Sequence, residues 1–350
     1  MLTMYLRHST RGQRGGARPV FIAIIVVLAL IEGVVWLMRS PYQGFANDVF
    51  LTVPHGAKTV DIGRELAQAG VIRYAWQFWA ERAMHGSQKI QAGEYRFHDA
   101  ASVGSVFDRL GRGDVYYFEF TVPEGSNMFD IARSLESEGV MPAADFLLAA
   151  SNPEPIRDLA PNAPTLEGYL FPSTYRLSHS TTAGELCREM TSQFRKEWRR
   201  LIEKTAGQGH SAGVQATVTL ASMVEKETSV PEERALVAGV FANRLEKGMK
   251  LDCDPTTIYA ALLDNRFRKT IHKSDLASQN PYNTYQHAGL PPGPIANPGA
   301  AALEAALAPV KTDYLYFVAK ADGTGHNFSS TLAGHERATQ AYRKKSRKAA

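Results

Sequence analysis

The chain has 350 residues, of which 44% are hydrophobic, and a formal net charge of +4. This length allows two or three domains, and the composition is that of an ordinary globular protein. Basic residues are concentrated at the two ends of the chain, so the middle is slightly acidic. This distribution argues against a nucleic-acid-binding protein, which needs a basic face on its folded body.

Residues 20–38 form an apolar run that contains a single charge. About 20 apolar residues span a bilayer as a helix, so we expect a transmembrane anchor here. Arginines precede the run, and the positive-inside rule then places residues 1–19 in the cytoplasm and everything after residue 39 outside. The alternative is a cleaved signal peptide with its cleavage site at residues 44–46, although the apolar run is longer than such peptides need.

An internal repeat follows, in which residues 52–56 (Thr-Val-Pro-His-Gly) match residues 121–125 (Thr-Val-Pro-Glu-Gly), 69 positions later. Each copy predicts a short strand, a Pro-Gly turn and an amphipathic helix that ends at a glycine, Gly70 or Gly139. Thr-Val-Pro-x-Gly before a helix resembles the start of a LysM-type glycan-binding module.

Strand candidates follow the two copies at residues 92–97 and 167–172, and a charged helix is expected over residues 185–204. Residues 209–213 (Gly-His-Ser-Ala-Gly) fit the Gly-x-Ser-x-Gly nucleophile elbow. That elbow must follow a buried strand, whereas here it follows a solvated helix. We therefore interpret Ser211 as a helix-capping residue and not as a nucleophile.

Beyond this break the pattern predicts more helices, a long proline-rich loop and one strand. Because long ordered loops are usually functional, we expect the proline-rich loop to belong to a site. The elements are a helix ending at Thr228, a helix from Pro231 to Gly248, the loop at residues 281–298, a helix over residues 299–307 with Asn297 as its N-cap, a strand at residues 313–319 and a basic terminal helix.

Glu225 ends a helical run that carries no charge from Gly213 to Val224. It shares a helical row with Val218 and Ala221, and no Lys or Arg stands four residues away. A carboxyl group on such a face should be partly desolvated, which raises its pKa and suits a proton donor. The alternative is a glutamate at a helix end that reaches water.

Six motifs, in this order, resemble the endolytic murein transglycosylases of the YceG-like family over residues 45–343. Asp252-Cys253 and Ala260 depart from the family pattern beside the site. The motifs are Leu-Glu-Gly-Tyr-Leu-Phe-Pro-Ser-Thr-Tyr (166–175), Ala-Ser-Met-Val-Glu-Lys-Glu-Thr (221–228), Val-Phe-Ala-Asn-Arg-Leu (240–245), Asp-Pro-Thr-Thr-Ile-Tyr (254–259), Pro-Tyr-Asn-Thr-Tyr (281–285) and Gly-Leu-Pro-Pro-Gly-Pro-Ile (289–295).

The resemblance implies a single-pass enzyme of the inner membrane whose periplasmic domain cuts the β-1,4 bond between N-acetylmuramic acid and N-acetylglucosamine, leaving a 1,6-anhydro end. One glutamate is enough for this chemistry, because the sugar's own 6-hydroxyl is the nucleophile. The family match places this acid and base at Glu225 and not at Glu227. No cofactor is implied, and the partners would be glycan strands, the inner membrane and peptidoglycan synthases.

The resemblance also predicts an α+β architecture with a LysM-like module at residues 45–118 and a mostly helical catalytic domain with a small sheet at residues 119–345. The second repeat copy would occupy residues 119–180 of this domain. Cys187 and Cys253 lack metal spacing, and we expect them to be unpaired.

The remaining motif residues are weaker site candidates. Glu167 could be a second carboxylate of the cleft or, as we favour, a structural partner for Arg244. Asn243 could orient Glu225, bind an acetamido group or form a core hydrogen bond. Asp254, before a proline, is interpreted as a turn residue.

Tyr282, Asn283, Thr284 and Tyr285 offer the amide groups and ring faces that sugars bind, although tyrosines beside prolines often only brace a loop. His326 and His335 have no further ligand at metal spacing, so no zinc site is expected.

Two other functions stay open. A muramidase would use water, would give reducing ends and would need a second acid, with Glu167 as the candidate. A non-catalytic peptidoglycan-binding scaffold would tolerate the loss of Glu225 but not the loss of the repeats.

Overall fold

The structure is a computed structural model, and it describes residues 17–86, 88–205 and 213–349. The predicted elbow and Ser211 lie outside these residues, as does most of the predicted cytoplasmic segment. The described chain mixes helices with small two-stranded sheets, which confirms the α+β class of the prediction. It divides into two compact units, with the boundary after Phe118.

The first unit begins with α1 (Ala17–Arg39), whose segment Val20–Arg39 is the one helix among the described residues that is long and apolar enough to cross a membrane. The strands β1 and β2 then pair antiparallel, with two helices between them in the chain. Leu66, Phe78 and Tyr95 are fully buried in the core below this pair. The elements after α1 are β1 (Val49–Val53), α2 (Thr59–Gln68), α3 (Ala75–Met84), β2 (Gly93–Phe97) and α4 (Val103–Arg112).

The repeat of the sequence is a repeat of structure. In the second unit β3 (Phe118–Thr121) and β4 (Thr174–Leu177) pair around α5 (Met128–Ser137) and α6 (Ala143–Ala150), which is the same strand–helix–helix–strand order. The predicted helix-ending glycines are both left-handed, with φ of 72° at Gly70 and 70° at Gly139. The predicted strand at residues 167–172 is wrong: that segment is a turn, and the strand follows it.

The rest of the second unit is mostly helical, and α8 lies at its centre. Residues 217–224 of α8 are buried on every side, because α9, α10 and α12 pack around it. The charged helix predicted over residues 185–204 is confirmed as α7. The elements are α7 (Ala183–Lys204), α8 (Val214–Glu227), α9 (Arg234–Glu246), α10 (Asp254–Leu263), α11 (Lys273–Leu276), α12 (Ala300–Leu307), β5 (Tyr316–Ala319), β6 (His326–Ser329) and α13 (Leu332–Ala349).

Two predicted boundaries shift. The helix expected from Pro231 begins with one 3-10 turn before α9 starts at Arg234. The N-cap of α12 is Gly299 and not Asn297, because the Asn297 side chain bonds elsewhere in the core. The two cysteines are free and buried, as expected.

Candidate active site

The last turn of α8 carries two glutamates, Glu225 and Glu227, which are both partly buried. Residues two apart on a helix point about 200° from each other, so the two carboxyl groups meet different neighbours. Because α8 is buried all round, the apolar row that singled out Glu225 in the sequence does not distinguish it from Glu227 in the structure.

Glu227 lines an open cavity of about 520 Å³. Burial raises the pKa of its carboxyl above the ordinary value near 4.5, and the Asp254 carboxylate raises it further. The Cys253 thiol donates a hydrogen bond to Glu227 and, with His326, lowers this pKa. A carboxyl group in such surroundings holds its proton at a higher pH than an exposed glutamate does.

The cavity has the features of a ligand-binding cleft. Its size is within the usual range for ligand pockets, and its walls combine aromatic faces with a few polar groups. Tyr285 donates a hydrogen bond from its hydroxyl to Asp254 Oδ1 at 2.7 Å. The Arg244 guanidinium lies 5.1 Å from the ring centre of Tyr316. The other lining residues are Leu251, Asp252, Phe317, Val318, Ala319, His326, Leu332 and His335.

Glu225 is not among the residues that line this cavity, and its side chain is 7% exposed. Its Oε2 accepts a hydrogen bond from the backbone N–H of Gly299 at 3.0 Å, and Oε1 lies 3.7 Å from Arg234 Nη2. Burial raises the pKa of Glu225, while the Gly299 N–H lowers it. The cation that faces Glu225 therefore comes from α9, whereas the sequence analysis considered only the positions four residues away on the same helix.

Glu167 lies in the interior, with 1% of its surface exposed. Its Oε2 accepts hydrogen bonds from the Met128 N–H at 2.9 Å and the Tyr259 hydroxyl at 3.0 Å. Asn297 Nδ2 donates to Oε1 at 2.9 Å. Burial raises the pKa of Glu167 to about 8. The structural role is supported, but the partnership with Arg244 is wrong.

Arg244 instead holds the segment that leads into α10. Its Nη1 donates to the carbonyl oxygens of Lys250 and Leu251, both at 3.0 Å, and lies 3.1 Å from Asp252 Oδ2. Asn243 donates both amide hydrogens to the carbonyls of Thr312 and Tyr314. Asn243 thus stabilises the segment before β5, and its amide hydrogens are donated there and not to Glu225.

The segment at residues 282–285 is divided between the interior and the cavity. Asn283 is fully buried and donates to the carbonyl of Ser278 at 2.7 Å. Thr284 Oγ1 accepts from the Cys253 N–H at 3.0 Å and so braces the turn beside Glu227. The Tyr282 ring packs 5.1 Å from that of Tyr259, and burial raises the Tyr282 pKa to about 12. Only Tyr285 of these four lines the cavity.

Sequence reasoning set aside two residues that the structure brings together with Tyr285, namely Glu227 and Asp254. The available signal was the Glu-Lys-Glu pattern at residues 225–227, which offers two acids for one role. His326, considered as a metal ligand, lies with Nδ1 2.7 Å from Glu233 Oε2. Among the described residues no group of three or more His, Cys, Asp or Glu side chains could hold a metal ion.

Known proteins resemble this chain over most of its length. An "Endolytic murein transglycosylase" of Bacillus subtilis is 31% identical, covering 87% of this chain and 88% of its own length. A protein of the same name from Streptococcus pneumoniae is 28% identical, and the match covers 90% of this chain and 64% of that protein.

A crystal structure of a YceG-like protein from Listeria monocytogenes superposes with a TM-score of 0.54 and 30% sequence identity, covering 83% of this chain and 98% of that one. The model of the YceG-like family matches residues 51–341. This chain therefore belongs to the YceG-like family.

Proposed function

We propose that this protein is a membrane-anchored endolytic murein transglycosylase in which Glu227 is the general acid and base. The observation that carries the assignment of this residue is the cavity of about 520 Å³, into which α8 brings one glutamate beside aromatic walls. The names of the relatives support the activity, which makes the enzyme a lyase acting on peptidoglycan.

The reaction needs one group that first donates and then accepts a proton. The protonated Glu227 carboxyl donates to the glycosidic oxygen as the bond to the muramyl C1 breaks. The 6-hydroxyl of the same sugar attacks C1, and the Glu227 carboxylate takes up its proton. The products are a 1,6-anhydro-muramyl end and a free 4-hydroxyl on N-acetylglucosamine, and no water is consumed.

Burial supports Glu227 as a group that is protonated at the start, and because burial raises the pKa of Glu225 as well, the choice between the two rests on the cavity. Desolvation by the protein and the neighbouring Asp254 carboxylate both favour the neutral form. Glu225, the residue predicted from the family pattern, is the alternative. Its carboxylate is held by the Gly299 N–H and faces Arg234, a combination that suits a structural link between α8, α9 and the start of α12.

Water as the nucleophile would make the protein a muramidase, and the second acid would then have to reach the sugar. Glu167 is enclosed by its three donors, which argues against that role. Asp254 is the acid that shares the cavity with Glu227, so it is the residue on which a hydrolytic mechanism would depend.

The anchor and the first unit complete the proposal. We infer that α1 crosses the inner membrane once, with the N-terminus in the cytoplasm and the catalytic unit in the periplasm. The strand–helix–helix–strand order of the first unit supports a LysM-like module that binds glycan. An enzyme held at the membrane suits cleavage of nascent strands beside peptidoglycan synthases.

The test compares the wild type with two matched variants, Glu227→Gln and Glu225→Gln, on purified glycan strands. Mass spectrometry would identify the new ends. We expect anhydro-muramyl ends from the wild type and from Glu225→Gln, and a loss of roughly 10²–10⁴-fold in rate for Glu227→Gln. Both glutamines keep an oxygen that accepts the native hydrogen bond, so equal thermal unfolding would separate chemistry from folding.

Three results would contradict parts of the proposal. Loss of cleavage in Glu225→Gln alone would return the acid to Glu225. Reducing ends from the wild type would indicate a hydrolase, and Asp254→Asn would be the next variant. Glycan binding without cleavage by the folded wild type would favour the scaffold.

A further inference from the structure

In the first unit, α3 turns an apolar side outward. Trp76, Trp79 and Met84 are 38%, 39% and 64% exposed, and they lie on one side of the helix together with Ala80 and Ala83. The buried side carries two polar residues. Helices at the surface of water-soluble domains turn their apolar face to the core and their polar face to water. The exposed apolar face of α3 therefore indicates an apolar partner. The inward residues are Gln77, Phe78 and Glu81.

This face lies beside the end of the membrane anchor. Val34, Val35 and Met38 of α1 line one groove of about 410 Å³ with Trp76 and Met84 of α3. Val34 and Val35 belong to the segment that is apolar enough to cross a membrane. The side of α3 that faces α1 thus lies next to the last turns of the apolar segment, which are the turns expected inside the membrane.

A hydrogen bond fixes α3 to the anchor. A helix normally satisfies the carbonyl of Leu37 with the N–H four residues later, but that residue is Pro41, which has none. Gln77 Nε2 donates to the Leu37 carbonyl at 2.7 Å instead, and Gln77 Oε1 accepts from the Tyr74 N–H at 2.9 Å. The buried polar residue of α3 therefore ties this helix to the point where α1 ends.

We propose that α3 lies in the headgroup region of the outer leaflet, with Trp76, Trp79 and Met84 in contact with lipid. The groove spans α1 from Val34 to Arg39, which at 1.5 Å per residue is about 7.5 Å along the helix axis. Interfacial helices bury their apolar face by a similar distance, roughly 5–10 Å, and tryptophan is enriched at that level. Arg39 supplies a positive charge for lipid phosphates.

The proposal rests on the membrane anchor proposed above, and the experiment separates the two. The full-length protein would be placed in lipid nanodiscs of phosphatidylethanolamine and phosphatidylglycerol. A single environment-sensitive NBD label would be attached at Met84→Cys, with Val27→Cys in the middle of α1 and His55→Cys in the turn after β1 as matched sites. Cys187 and Cys253 are buried, so the introduced thiols should react selectively.

Lipids with a nitroxide near the headgroup would then be added as quenchers for positions 84 and 55, and lipids with a nitroxide on the acyl chain as quenchers for position 27. We expect blue-shifted emission and strong quenching at position 84, and weak quenching at position 55. The double substitution Trp76→Ser with Trp79→Ser should reduce the quenching at 84 while leaving that at 27 unchanged. Quenching at 27 but not at 84 would overturn the interfacial position of α3. No quenching at 27 by acyl-chain nitroxides would overturn the anchor itself.

Discussion

Glu225 and Glu227 are two residues apart, yet their carboxyl groups have different surroundings. Glu225 is bound by a backbone N–H and faces an arginine, whereas Glu227 opens into a cavity. The sequence predicted that the end of α8 carries the acid. The family pattern placed it at Glu225, whereas the cavity leads us to propose Glu227, because the walls beside Glu227 come from α10 and the turn before it, which a local pattern around α8 does not report.

The pH dependence of activity should report the surroundings of Glu227. The reaction begins with the protonated carboxyl, so kcat/KM should fall as pH rises through its raised pKa. Asp254→Asn removes a negative charge that raises this pKa, and we expect the falling limb to move to lower pH. Asp252→Asn is the control, since Asp252 also lines the cavity but pairs with Arg244. Equal shifts in both variants would contradict this account.

Glu167 should matter for stability. Its pKa of about 8 lies above the unfolded value near 4.5, so its contribution to stability is complete below pH 4.5 and is lost as pH rises toward 8. Glu167→Gln should remove this pH dependence. It should also lower the free energy of unfolding by about 1–3 kcal/mol at low pH, because the amide nitrogen must face a donor.

Urea unfolding followed by tryptophan fluorescence at several pH values would measure both effects. Glu203→Gln, at an exposed position of α7, is the matched control. A variant that unfolds like the wild type at every pH would show that the three donors around Glu167 are dispensable.

Among the elements, the repeat was the most predictable part of the fold. Thr-Val-Pro-x-Gly, the amphipathic period and the closing glycine are local signals, and both copies form the expected strand, turn and helix. The strand at residues 167–172 and the N-cap role of Asn297 failed for a common reason. Both segments are held by side-chain hydrogen bonds across more than a hundred residues, which no local pattern reports.

The two helix-ending glycines offer a comparison within one chain. Gly70 and Gly139 share a left-handed backbone, in which a side chain costs about 1–2 kcal/mol. A Cβ at Gly139 meets nothing within 4 Å, whereas at Gly70 it would lie 2.8 Å from the backbone carbon of Gly44. We therefore expect Gly70→Ala to destabilise its unit by more than Gly139→Ala does.

Pulse proteolysis in urea, which follows each unit by its own fragment, would measure the two changes. Equal losses of stability would mean that the segment between α1 and β1, which contains Gly44, yields to the added methyl group.

For the whole molecule, the sequence predicted the apolar helix and the order of the two repeat copies, since both depend on composition and on local patterns. The assembly of the cavity from α8, α9, α10, β5 and β6 was not predictable, because it depends on packing between separate elements.

Membrane topology is testable at this scale. Alkaline phosphatase fused after residue 350 should be active in bacterial cells, and a green fluorescent protein fused there should be dark, because the positive-inside rule directs the chain outward after residue 39. The same fusions to a chain in which the arginines before residue 19 are replaced by glutamate provide the control. Fluorescence from the green fluorescent protein fusion of the natural chain would place the C-terminus in the cytoplasm and contradict the proposed topology.

The two repeat copies differ in one respect that bears on how such an enzyme could arise. They are 69 residues apart at their first strands, which begin at Val49 and Phe118, but 81 residues apart at their last strands, which begin at Gly93 and Thr174. The extra length lies between α6 and β4, and it carries Glu167, the residue that joins the second copy to Asn297. Duplication of a small module, followed by lengthening of one loop, would thus convert a free-standing unit into part of a larger catalytic body.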